Sequence, residues 1–316
     1  MPLDPVLADR LHLLDGLTTW RDVDTPEKAA RLVGWDTDPV PYTRPDVETA
    51  EIPLAAAGHE FRVRVYGHGD SDSPCLVWSH GGGFVVGTLD MNEADIVARE
   101  VAVRAGAVVV SVDYTLAPAA QYPVLHSQVA AAWTWAVDHR AELGIDSRRV
   151  SIGGASAGAA LSLSATRELV SRGGASPAAM LLAYPVAHRS WDLDPVQQEA
   201  MAPLPPVLRI AVEPDGPLNR AYLGDHPDPV FAFLAPDGTG VAGLPPTYVV
   251  VCEYDDLRTT GELFVCQARA AGVPVELALA TGLVHGHLNR TPALPQVDAT
   301  LRDMARVVVE ATVHAG

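Results

Sequence analysis

Apolar residues recur every three to four positions in some stretches of the chain and alternate with polar ones in others, and the switches between these periods divide it into elements. After Asp4-Pro5, an N-cap followed by proline at the first helical position, Leu7, Leu11 and Leu14 are spaced along one helix face. Thr25-Pro26 repeats the signal before Ala29, Leu32 and Val33, so the first 45 residues are expected to form two short helices that cover something else. From Val47 the period drops to two. VETAEIPL and HEFRVRVYG alternate on either side of Ala-Ala-Gly, which predicts an antiparallel pair of strands.

Short apolar runs then take turns with helical stretches: CLVWSH, a helix from about Met91, GAVVVSVDY, a helix from Pro123, RVSIGG, a helix from Ala157, and AAMLLAYPV. Such β-α alternation predicts an α/β fold with a mostly parallel sheet and helices on both faces. Between 187 and 229 the rhythm breaks into a proline-rich stretch without a strand pattern, read as an insertion above the sheet. The alternation resumes with PPTYVVVCEYDD, a helix near Glu262 to Ala271, the strand PVELALA, and a final helix with Val297, Leu301, Met304 and Val308 on one face.

Composition narrows the function classes. With 316 residues, 48% hydrophobic and 19% charged, the chain can build a large core and is too weakly charged for disorder. A formal charge of -17 repels phosphate backbones and anionic headgroups, so neither nucleic acid nor a membrane surface is an expected partner. The start, MPLDPVLADRLHLLDGL, has no basic head or unbroken apolar run, and no stretch reaches the roughly 18 apolar residues of a membrane helix. Cys75, Cys252 and Cys266 are odd in number and widely spaced, which argues against a disulfide framework or a zinc site and makes the cytoplasm the expected compartment.

The chemistry lies between the elements. Ser156 sits in Gly154-Ala155-Ser156-Ala157-Gly158, between the strand ending near Ile152 and an Ala/Leu-rich helix. A strained strand-turn-helix tolerates only small neighbours and lifts a serine hydroxyl toward a substrate, with the helix N-terminus favouring developing negative charge. A hydroxyl needs a base, and TGLVHGHLNR offers His285, with His287 as competitor. An imidazole needs an acceptor to fix its tautomer, and YVVVCEYDDLR offers Asp255 at the end of a strand, with Asp256 beside it. His80-Gly81-Gly82-Gly83 follows another strand and supplies unobstructed backbone N–H groups for an oxyanion, while the Lys-Ser/Thr of a phosphate loop is missing. The order Ser156, Asp255, His285 is that of α/β-hydrolases.

From about Ala56 onward, HGGGFVVGTLD, DYTLAP, the serine turn, DDLR and HGH together resemble the hormone-sensitive-lipase-like family of α/β-hydrolases, especially its bacterial carboxylesterases. The resemblance implies the α/β-hydrolase fold with a small helical cap: N-terminal cap helices at 1–45, core at 46–186, cap insertion at 187–229 and core again at 230–316. It implies Ser156 as nucleophile, His285 as base, Asp255 as its partner, and Gly82, Gly83 and Ala157 as oxyanion-hole donors. The chain departs from the family at Ala155 and Ala159 around the serine, at Ala119, and at Asp256, where the family has proline. Hydrolysis of small esters of short to medium acyl chain is expected, with no metal or organic cofactor and with Phe84, Leu257, Leu283 and Val284 as pocket walls. The rival readings are a non-catalytic small-molecule receptor, or amide, lactone or deacetylation chemistry on the same residues. A homodimer is left open as the assembly.

Overall fold

The computed structural model describes residues 2–19, 22–173, 175–210, 213–226 and 229–312. Its sheet comprises β1 (Thr49–Ala56), β2 (His59–Tyr66), β3 (Ser73–Ser79), β4 (Val108–Asp113), β5 (Ile145–Ala155), β6 (Met180–Ala183), β7 (Thr247–Tyr254) and β8 (Val275–Val284). The strand order is β1-β2-β4-β3-β5-β6-β7-β8. β2 runs antiparallel to both β1 and β4, and the remaining neighbours are parallel, as the β-α alternation predicts. The helices are α1 (Pro5–Ala8), α2 (Pro26–Asp36), α3 (Asn92–Ala105), α4 (Val124–Asp138), α5 (Arg140–Leu143), α6 (Ala157–Ser171), α7 (Pro195–Met201), α8 (Pro217–Leu223), α9 (Arg258–Ala270) and α10 (Pro295–Glu310).

Successive side chains of a strand point to opposite faces, so a strand apolar throughout must be covered on both. In β3, Cys75 and Val77 enter the core shared with α4, α6 and α9, while Leu76 and Trp78 enter the core shared with α3 and α10. β7 divides in the same way, Val249 and Val251 on the first side and Tyr248, Val250 and Cys252 on the second.

Both predicted N-terminal caps form: Asp4 accepts from the Val6 N–H at 2.9 Å, and Thr25 from the Lys28 N–H at 3.3 Å. The first helix is shorter than its apolar spacing predicts, giving way to a 3-10 turn at Leu11–Leu14, but Leu7 and Leu14 are buried as expected. α2 meets the expectation at Leu32, which packs on the core shared with α3 and α10, but not at Ala29 or Val33. Val33 is 64% exposed, and Trp35 is buried with the Arg290 guanidinium 4.9 Å from its ring centroid. α9 begins at Arg258, ahead of the expected start near Glu262, and β8 runs past PVELALA to Val284 through an irregularity in its pairing with β7. The 187–229 stretch holds α7, α8 and a 3-10 turn at Pro206–Leu208; Ala211, Val212, Pro227 and Asp228 of that stretch lie outside the described residues.

Parallel strands deliver their carboxyl ends to one edge of the sheet, where ligands of open α/β sheets gather. Here β3 leads into the glycine loop, β5 into Ser156, β7 into Asp255 and β8 into His285. The four segments singled out by residue chemistry thus leave the sheet at the same edge.

Candidate active site

Ser156 follows β5 directly and caps α6, with φ 53° and ψ -118°. Backbone in such a sparsely populated region costs about 1–3 kcal/mol and persists only where the surroundings enforce it. Here the Ser156 N–H donates to the Ala183 carbonyl at 2.8 Å, and the turn is pressed against the end of β3. A Cβ at Gly158 would lie 2.1 Å from the Ser79 carbonyl oxygen, which explains why this neighbour of the serine carries no side chain.

The Ser156 hydroxyl lies 2.9 Å from His285 Nε2, and His285 Nδ1 lies 2.8 Å from Asp255 Oδ2. An ionised carboxylate only accepts, so Nδ1–H donates to Asp255 and Nε2 is left to accept from the serine. The other Asp255 oxygen accepts from the Leu257 N–H at 2.9 Å, and Gln197 Nε2 on α7 donates to the Asp255 carbonyl. Burial pushes the His285 imidazole toward neutrality, but the charge and hydrogen bond of Asp255, helped by Glu93 and Asp256, raise its pKa above the ordinary value. Histidine 285 is therefore a stronger base than free imidazole, and its side chain is still 21% exposed.

The competitor at His287 is a core residue. Thr300 Oγ1 donates to the Gln296 carbonyl at 3.1 Å, so it accepts from His287 Nε2 at 3.0 Å, leaving Nδ1 to accept from the Cys252 thiol at 3.2 Å. Burial, with the nearby His285, lowers its pKa to about 3. The neighbouring carboxylates divide in the same manner. Asp256, 2% exposed, accepts from the Arg209 guanidinium at 2.9 Å and from the Ile210 N–H at 2.7 Å, tying the 187–229 stretch to the strand end that carries Asp255.

The glycine loop abuts the serine: a Cβ at Gly81 would stand 3.1 Å from Ser156 Cβ. Gly82, at φ 104°, is wrapped so tightly that a Cβ there would lie 1.9 Å from the Val86 carbonyl oxygen. Tyr114 holds the loop from below, its hydroxyl donating to the His80 carbonyl at 3.0 Å. Among the described residues, the N–H groups of Gly82, Gly83 and Ala157 have no acceptor. Unpaired backbone donors beside a serine hydroxyl are the groups that a developing oxyanion would require.

The expected pocket walls lie deeper than the sequence implies. Phe84 is 2% exposed and stacks on Tyr222 of α8 with centroids 4.3 Å apart, and Leu257, Leu283 and Val284 are all buried. Leu218 of α8, 43% exposed, is the side chain found against the glycine loop, 3.0 Å from the position of a Cβ on Gly83. Sequence reasoning also missed Glu93, which is buried and bonded to the Gly81 N–H, because an acidic residue in the first turn of a helix is ordinary in sequence.

Comparison with known proteins gives a consistent picture. A family described as alpha/beta hydrolase fold matches residues 76–289. The chain is similar to carboxylesterase NlhH of Mycobacterium tuberculosis, with 35% identity over 96% of this chain and 94% of that protein. It is also similar to esterase LipI of the same organism, with 32% identity over 97% and 95%. Among solved structures, the hyperthermophilic esterase from Pyrobaculum calidifontis superposes with a TM-score of 0.80 at 28% identity, covering 98% of each chain. No helix among the described residues is long and apolar enough to cross a membrane. With its strand order, its serine turn and these relatives agreeing, the chain belongs to the hormone-sensitive-lipase-like family of α/β-hydrolases and is a carboxylic ester hydrolase.

Proposed function

We propose that this enzyme hydrolyses small esters of short to medium acyl chain through an acyl-enzyme on Ser156. The observation that carries the reading is the hydrogen-bonded series Ser156–His285–Asp255 beside the unpaired N–H groups of Gly82, Gly83 and Ala157. Ser156 Oγ bonds to the ester carbonyl carbon as its proton passes to His285 Nε2, and the three amides hold the resulting oxyanion. His285 then returns the proton to the alkoxy oxygen as the C–O bond breaks and the alcohol leaves. Water repeats the sequence on the acyl-enzyme, regenerating the serine and releasing the acid.

The N-terminal segment and the 187–229 stretch act as the cover of this site. In support, Leu218 lies against Gly83, Gln197 and Arg209 bond the segments around Asp255 and Asp256, the Asp4 N–H donates to the Gly282 carbonyl at 2.9 Å, and Asp38 accepts from the Thr291 N–H at 2.6 Å. The packed rings of Phe84, Tyr222 and Phe233 close off depth beside the oxyanion loop, which favours short acyl chains. A cytoplasmic location fits the three free thiols.

A series of p-nitrophenyl esters tests the substrate class. The expected kcat/KM is greatest between acetate and octanoate and at least about tenfold lower for palmitate, because each methylene a pocket fails to accept is worth about 1 kcal/mol or more. A maximum at palmitate would contradict the closed pocket. The carboxylates are separated by Asp255→Asn and Asp256→Asn. The first is expected to lower kcat about 10⁴-fold, as when the orienting carboxylate of such a relay becomes an amide. The second, which removes an anchor of the cover, is expected to lower kcat by less than about tenfold, and equal losses would contradict the division between them.

A further inference from the structure

Glu93 is a buried carboxylate that the steps above do not use. It stands in the first turn of α3 and is 2% exposed. One oxygen accepts from the Gly81 N–H at 2.6 Å; the other accepts from the Tyr184 hydroxyl at 2.5 Å and from Asn289 Nδ2 at 3.4 Å. Every partner is neutral, and each belongs to a different wall of the site. Gly81 begins the oxyanion loop. Tyr184 follows β6, beside the carbonyl that accepts from Ser156, and sets its ring edge-on to His285 with centroids 4.9 Å apart. Asn289 closes the turn that begins at His285, its Nδ2 also donating to the Gly286 carbonyl at 3.3 Å.

A carboxylate without a cation is expensive to bury, but with donors at both oxygens it can accept at each, where an amide would turn an N–H toward one of them. The N-terminus of α3 offsets part of the expense, since its backbone dipoles favour negative charge there. The ionisable groups around Glu93 are Tyr184, Tyr114, His80, Cys252 and His285. Burial raises the hydroxyls and the thiol and lowers His80, so these stay uncharged near neutral pH. His285 is the member of this set that becomes cationic during turnover. It also faces Asp255 and Asp256 from the end of β7, Ser156 from the start of α6, and the neutral His287 from its own loop.

We propose that Glu93 is a positioning residue for ester hydrolysis, its carboxylate fixing the oxyanion loop, Tyr184 and the histidine turn in one register while its charge supports the imidazolium at His285. This rests on His285 being the base of the reaction. The role has two parts, register and charge: Glu93→Asp disturbs the first while keeping the second, and Glu93→Gln disturbs both, so the acid limb reads the charge and the kcat of Glu93→Asp reads the register. Glu93→Gln keeps the volume but removes the charge and turns an N–H toward a donor, whereas Glu93→Asp keeps the charge and withdraws it by one methylene.

The experiment is the pH profile of kcat/KM on p-nitrophenyl butyrate for the wild type and both variants, each checked for folding by its thermal melt. For Glu93→Gln, kcat is expected to fall roughly 10- to 100-fold, the loss typical of a misplaced reacting group. Its acid limb is expected to move to lower pH, because a negative charge near His285 has gone. For Glu93→Asp, kcat is expected to fall at least about fivefold with the acid limb held near its wild-type position. An unmoved limb in Glu93→Gln, or a limb displaced equally in both variants, overturns the role of the charge. Wild-type kcat in Glu93→Asp overturns the role in register, and this variant decides that point even if Glu93→Gln does not fold. A wild type without ester turnover is a different result and would remove the esterase reading itself.

Discussion

Replacing Ser156 by alanine is expected to lower kcat on p-nitrophenyl butyrate by about 10⁶, the loss found when the nucleophile of such a relay is removed. The size follows from what survives. The cradle of Gly82, Gly83 and Ala157 and the His285–Asp255 pair remain, but without Oγ no covalent intermediate forms and only direct attack by water is left. A factor of 10⁶ corresponds to about 8 kcal/mol of activation free energy, far above any effect of altered packing at one small side chain. Stability is expected to change little. Alanine inherits the same φ of 53°, so the strain is neither added nor relieved, and the position is almost fully covered in either case. Labelling provides an independent check: a fluorophosphonate is expected to add one phosphonyl group to the wild type and none to the variant. Activity within about tenfold of wild type in a folded Ser156→Ala protein would end the acyl-enzyme account.

The sheet and the candidate site residues were legible because each rests on a local signal. Strands apolar on both faces, such as CLVWS and TYVVVC, have no stable place except inside a two-faced parallel sheet. Glycines at 81 to 83 and small residues around Ser156 mark places where backbones nearly touch, and the clashes that a Cβ would meet at Gly82 and Gly158 are the physical content of that signal. What sequence left open depends on partners distant in the chain. Asp255 and Asp256 are chemically equal in sequence and differ because one meets His285 and the other meets Arg209, some 47 positions earlier. Glu93 resembles any acidic first-turn residue until Gly81, Tyr184 and Asn289 converge on it. Val33 and Trp35 show the same limit at small scale, since the side of α2 that is buried meets partners as distant in the chain as Arg290.

Replacing His285 by alanine is expected to match the serine variant, with kcat lower by about 10⁶, whereas His287→Ala should retain kcat within about tenfold. The two imidazoles are two residues apart and share the edge of Tyr184, yet their surroundings assign them opposite properties. Asp255 makes His285 more basic than a free imidazole, so it can take a proton from Ser156 and hold it. His287 is pushed to about 3 and has both nitrogens engaged, by Cys252 and Thr300, so it has neither the basicity nor a free lone pair for the reaction. Its removal instead opens a cavity and leaves the buried Cys252 thiol without its acceptor, while Thr300 keeps its bond to Gln296, a loss of about 2 kcal/mol or more that a lowered Tm would register. The pH profile separates these roles. A base must be neutral to act, and a raised pKa moves the loss of activity upward in pH, so wild-type kcat/KM is expected to fall on acidification through a limb above the ordinary imidazole value. His287→Ala should keep that limb, while the residual activity of His285→Ala should lack it. If the limb instead followed His287, the proton path would run through the buried imidazole, and the reading of the hydrogen-bonded series would have to be reversed.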